Sequence, residues 1–123
     1  EWVKGVRYAD VRFADEQQLS VYNFEMADVA MLWKLFELYE AEAQRLISGF
    51  KDAPEKARYP LLAAYEFVLK CSHSFNLLDA RGAISVTERV GVIQRVRKLA
   101  VGCAQAWVRQ QNPDLFANEE AAA

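Results

Sequence analysis

Turn-forming residues are scarce: the 123-residue chain has five glycines and three prolines. That scarcity argues against a turn-rich β architecture and excludes a Gly-rich phosphate loop. Two cysteines, Cys71 and Cys103, are too few for a disulfide scaffold and stand in no metal-binding spacing. His73 is the only histidine, and no second His or Cys lies where it could share a metal on the same helix face. No apolar run is long enough to cross a bilayer, and no secretory signal pattern opens the chain. A reduced, cytoplasmic setting is therefore expected.

The chain is instead rich in helix formers. Hydrophobic residues make up 53% and charged residues 26%, enough to bury one core and solvate its surface. The net charge of -2 conceals an asymmetry. Asp15, Glu16, Glu25, Asp28, Glu37, Glu40 and Glu42 outnumber Lys34 and Arg45 in one half. Arg81, Arg89, Arg95, Arg97, Lys98 and Arg109 face a single acid, Glu88, in the other. Two halves of opposite sign attract within one bundle, or the basic half meets RNA or an acidic protein surface.

Periodicity and punctuation predict an all-α fold of three long antiparallel helices in a small bundle. Residues 1–13, "EWVKGVRYADVRF", lack a helical period and read as a short strand or extended arm. The bundle is expected over 14–112, opening with a short helix from Ala14 to Phe24. The first long helix starts at the N-cap Asp28 and runs to Ser48. Its stripe includes Val29, Leu32, Trp33, Phe36, Ala43 and Ile47. Pro60 suits the first turn of the second, which runs to Ala80 with a stripe of Leu61, Ala64, Tyr65, Val68, Leu69, Cys71 and Phe75. Gly82 sits where a left-handed C-cap is wanted, and Ser85 with Glu88 matches a capping box. The third helix spans Val86 to Gln111, about 39 Å. Residues 113–123 read as a flexible tail.

The segment "HSFNLLDARGAISVTER" concentrates polar groups where an apolar face is expected. On a helical wheel Ser72, Asn76 and Asp79 continue the second helix's apolar stripe. Arg89 falls in a stripe with Ile93, Val96, Ala100 and Trp107, which places Trp107 in the core. Arg97 borders that stripe, and Glu40 lies between Phe36 and Ile47 on the first helix. Buried polar groups need partners. Glu40, Ser72, Asn76, Asp79, Arg81, Arg89 and Arg97 are therefore expected to form a structural network, with a ligand site as the alternative. Asp79 and Arg89 are each badly placed against a helix dipole, so their pairing across Gly82 relieves both. Arg81 is the rival partner for Asp79, and Glu40 for Arg89. Arg95, Lys98 and Arg109 on a polar face are candidates for contact with RNA or a partner protein.

"SVYNFE", "AYEFVLKCSHSFNLLDARGAISVTER" and "IQRVRKLA" resemble the C-terminal helical part of the alpha subunit of bacterial heterotetrameric glycyl-tRNA synthetase. "GVRYADV" is similar to a segment that follows the catalytic fold in that family, with Ala9 in place of its usual Gly, which implies that the arm over 1–13 leads from a catalytic domain absent here. The resemblance implies a part of a class II glycine–tRNA ligase. The parent enzyme would use ATP and Mg²⁺, form an alpha homodimer, and assemble with a beta subunit that contacts tRNA. The catalytic motifs of the class are not in this sequence. No catalytic, cofactor or metal residue is carried over, and the segment is expected to be inactive alone. It would act as a scaffold between the alpha subunit's catalytic domain and the beta subunit, or as a stand-alone tRNA-binding or protein-interaction module, with no membrane role.

Overall fold

A computed structural model describes residues 8–114, with side chains from Arg12 onward. Four α-helices follow one another: α1 (Tyr8–Val21), α2 (Val29–Gly49), α3 (Leu61–Ala80) and α4 (Val86–Gln111). No strand occurs among the described residues, and no described helix is long and apolar enough to cross a membrane. The fold is all-α, as expected. Helices α2, α3 and α4 alternate in direction and pack against one another.

The arm expected over 1–13 is helical from Tyr8 onward, so α1 starts six residues before the expected Ala14. Residues 1–7 lie outside the described ones. The sequence from Tyr8 to Phe13 contains no breaker, and a weak alternation over six residues cannot outweigh helix propensity there. A π-turn, Tyr22–Met26, joins α1 to the bundle, closed by the Ala27 amide on the Tyr22 carbonyl at 2.8 Å. Of the expected tail, Pro113 and Asp114 are described, and both are helical; the remainder lies outside the described residues.

The boundaries of the three long helices follow local chemistry. The Asp28 carboxylate accepts the Met31 amide at 2.9 Å and caps α2. Gly49 closes α2, and the missing side chain matters there. The Tyr59 hydroxyl occupies the space of a Cβ and donates to the Leu46 carbonyl at 2.5 Å. Gln110 of α4 donates to the carbonyls of Lys56 and Tyr59, so the connector is tied at both ends of the bundle's lower half.

The main core joins Phe36 and Ala43 of α2, Val68 and Cys71 of α3, and Val92 and Leu99 of α4. A second cluster of Ala27, Leu32, Leu77, Leu78 and Ile84 fills the end nearest the α3–α4 corner. On α4 the buried line is Val92, Leu99, Cys103 and Ala106, with Val96 half-buried between them. This corrects the expected stripe: Ile93 and Ala100 are exposed, and Trp107 is 43% exposed. The line through residues 92, 96, 99, 103 and 106 is apolar at every step, whereas the other begins with Arg89. The helix therefore turns by about one residue to bury the unbroken line. Small residues on that side let it approach α2, where a Cβ on Gly102 would meet Ile47 at 3.1 Å.

Candidate functional site

The corner between α3 and α4 consists of two capping motifs placed back to back. Gly82 takes φ 68°, a left-handed conformation that glycine adopts without strain. The Ala83 amide then reaches the Leu78 carbonyl, and the Gly82 amide reaches Asp79, each at 3.0 Å. These bonds form a Schellman closure. Three residues later the Ser85 hydroxyl accepts the Glu88 amide at 3.1 Å, and the Glu88 carboxylate accepts the Ser85 amide at 3.3 Å. Orphan groups at both helix ends are thus satisfied within a few residues.

Arg89 and Asp79 face each other across this corner at 2.5 Å. Their side chains are 46% and 36% exposed, so the pair sits on the rim rather than in the core. Arg81 turns away from Asp79. Its Nε donates to the Ala27 carbonyl and its Nη1 to the Phe24 carbonyl, both at 3.0 Å. The guanidinium fork thereby straps the corner to the end of the π-turn and the entry of α2.

Glu40 pairs with Arg95 and not with Arg89. The contact is bidentate, at 2.8 and 2.5 Å, and the guanidinium carbon lies 4.8 Å from the Phe36 ring centre. Donating to the Glu40 carboxylate pushes the Arg95 pKa further up. Arg95, expected among the candidates for contact with RNA or a partner protein, is held in an ion pair between α4 and α2 with its side chain 42% exposed. Ser72 is half-buried, Asn76 and Arg97 are exposed, and none of the three joins the Asp79–Arg89 pair. The expected single network is in fact three separate devices: a rim pair, a strap and an interhelical clamp. The buried polar side chain that wheel reasoning passed over is Ser74, 3% exposed.

Lys98 is exposed beside Arg97. Both line a shallow groove between α2 and α4 with Gln44, Gln94 and Gln105. Neither forms an ion pair among the described residues. Arg109 is exposed in the last turn of α4, where a cation suits the helix dipole.

A second feature was hidden by the misplaced stripe. Leu62, Tyr65 and Leu69 lie exposed on α3, and Ile93 and Trp107 lie exposed on α4. Between the two helices runs a groove of about 280 Å³ lined by Leu61, Leu62, Tyr65, Ala100, Cys103, Ala104 and Trp107. The sequence signal was present: α4 carries two apolar lines about 100° apart, and only one can face the core.

These groups suit recognition better than bond-making. Burial, with Glu40 adding to it, pushes the Cys71 thiol up to about 11, and burial raises Cys103 as well. Both thiols are therefore protonated and poor nucleophiles near neutrality. The Ser85 hydroxyl is committed to its cap. Among the described residues no three His, Cys, Asp or Glu side chains converge. What this geometry offers is a rigid corner, two exposed cations, Arg97 and Lys98, without an ion pair among the described residues, and an exposed apolar face. A family model described as glycyl-tRNA synthetase alpha subunit matches residues 1–112. With nearly the whole bundle inside that match, the chain belongs to the glycyl-tRNA synthetase alpha subunit family.

Proposed function

We propose that this chain is the helical scaffold of a class II glycine–tRNA ligase alpha subunit. It supports ATP-dependent attachment of glycine to tRNA by holding the alpha subunit's catalytic domain and the beta subunit in a fixed relation. The observation that carries this reading is the family match over residues 1–112, in a segment whose described groups suit docking. ATP and Mg²⁺ serve the parent enzyme, an alpha homodimer joined to beta subunits in the cytoplasm. No step of that chemistry is assigned to residues described here. The chain's own part is mechanical. The capped corner and the Arg81 strap fix the pose of α3 and α4, and the Glu40–Arg95 clamp fixes α4 against α2.

Glycine-dependent ATP–pyrophosphate exchange tests the reading. The chain alone is expected to show none, while the parent alpha subunit with its beta partner does. Exchange catalysed by the isolated chain would overturn it. A second reading, an RNA contact, is favoured by the exposed Arg97 and Lys98 beside three glutamines. It requires tRNA binding by the isolated chain with a steep salt dependence, reduced by Lys98→Ala.

A further inference from the structure

We propose that the groove between α2 and α4 seats the ribose–phosphate backbone of double-helical RNA, with phosphates on Arg97 and Lys98 and ribose hydroxyls on its glutamines. This rests on the RNA-contact reading above, and it names the site, the form of RNA and the groups recognised. The groove holds about 550 Å³, and its polar lining is Gln44 of α2 with Gln94, Arg97, Lys98 and Gln105 of α4. Gly102 lies in its wall, where a Cβ would meet Ile47 at 3.1 Å. The missing side chain lets α4 lie close to α2, so polar groups of both helices share one groove.

Charge calls for an anion. From Arg89 to Gln111, α4 carries five cations and no acid. Arg89 and Arg95 are paired with Asp79 and Glu40. Arg97 and Lys98 are exposed and form no ion pair among the described residues. On the α2 side, Glu40 is taken by Arg95 and Glu42 by Arg45. Glu37 stands two turns back from Gln44, toward the Arg95 end. Consecutive helix residues point about 100° apart, so Arg97 and Lys98 reach separate phosphates.

The amides narrow the anion to RNA. An amide both donates and accepts, as a ribose 2′-hydroxyl does, and that hydroxyl separates RNA from DNA. Gln44 gives one N–H to the Ser48 hydroxyl at 3.0 Å, which steadies its head. Gln94 and Gln105 are exposed on one face of α4, three turns or about 16 Å apart. Double-helical RNA displays its 2′-hydroxyls along a wide, shallow minor groove that such a row can follow. The lining also argues against other occupants. It has no aromatic ring on which an unpaired base could stack. Leu99 is buried and Ile47 half-buried, which leaves Val101 as its exposed apolar group, too small to anchor a protein interface.

The test titrates the full 123-residue chain into a fluorescent RNA duplex, a DNA duplex of the same sequence and single-stranded RNA, following anisotropy over a salt series. Two phosphate contacts support only weak binding, so the series starts at low salt, where screening is slight. The RNA duplex should bind most tightly, with a slope of log K against log salt of about −2. Arg97→Ala and Lys98→Ala should each remove about one from that slope, whatever the RNA sequence. Lys34→Ala, an exposed cation of α2 outside the groove, should remove nothing. Gln105→Leu should keep the slope but lower the preference for RNA over DNA about fivefold, the effect of one lost hydrogen bond. If the chain binds none of these nucleic acids, the RNA reading and this inference fall together. If it binds RNA with a slope that neither Arg97→Ala nor Lys98→Ala changes, RNA contact stands and the groove is the wrong site. Equal binding of RNA and DNA duplexes, or tighter binding of the single strand, would overturn the assignment to double-helical RNA. If poly-L-glutamate competes as well as the RNA duplex, the occupant is an acidic protein surface and the ribose–phosphate assignment is wrong.

Discussion

Replacing Arg81 with alanine removes two hydrogen bonds that span more than fifty residues of sequence. One, to the Ala27 carbonyl, is partly shielded; the other, to Phe24, is exposed. A hydrogen bond from a charged donor contributes about 1.5–3 kcal/mol when sheltered, and exposure reduces that. Taking the sheltered bond near the lower bound and the exposed one at about 0.5 kcal/mol gives a loss of about 2 kcal/mol. Ala27 itself is 1% exposed, so its carbonyl needs a replacement partner, and water must reach it for the loss to stay that small. For a domain of this size the loss lowers Tm by about 6–10 °C. Arg81→Lys keeps the charge but replaces the two-pronged fork with one point donor, so it should recover less than half. Urea denaturation followed by helical circular dichroism measures both variants. An Arg81→Ala midpoint equal to wild type would refute the strap, and full recovery by Arg81→Lys would show that charge and not the fork matters.

The rim pair should behave differently. Arg89→Ala is expected to cost only about 0.5–1 kcal/mol in the same denaturation assay, because solvent screens a pair exposed to this degree. Two apolar truncations on α4 separate its faces. Leu99→Ala, at 3% exposure, should cost about 3 kcal/mol, and Trp107→Ala about 1 kcal/mol or less; the reverse order would restore Trp107 to the core. Cys71 should resist thiol reagents in the folded chain at pH 8 and react once urea unfolds it. Its folded pKa, about 11, lies above the unfolded value, so this thiol favours the folded state fully below about pH 8.5. That contribution is lost as pH rises toward 11. Rapid labelling in buffer at pH 8 would contradict the buried position.

Helix ends were legible in the sequence because their chemistry is local. Asp28, Gly82 and the Ser85–Glu88 box each act within four residues, and each lies where the spacing predicts. The rotation of α4 was not legible. Val92 and Ile93 are both apolar, and the choice between them depends on the fit of Cys103, Ala106 and Gly102 against α2 and α3. The partners of the arginines were hidden for a related reason. A guanidinium on a long flexible stem reaches whichever carboxylate or carbonyl the rotated helix brings near. Wheel positions placed Asp79 opposite Arg89 across the corner. They could not foresee that Arg81 would find backbone carbonyls more than fifty residues away, or that Arg95 would claim Glu40.

The corner and the strap also differ in when they can form. Closing Asp79 onto Arg89 spans 10 residues, while seating Arg81 on Ala27 and Phe24 spans 54 and 57. Loop-closure entropy grows with span, so the α3–α4 hairpin can assemble early and the strap fastens after α2 has docked. Interactions made late on the folding path act on escape from the native state more than on arrival. Loss of Arg81 should therefore show as faster unfolding at a nearly unchanged folding rate. In a native chain, opening would begin where the π-turn meets α2, leaving the corner intact behind it.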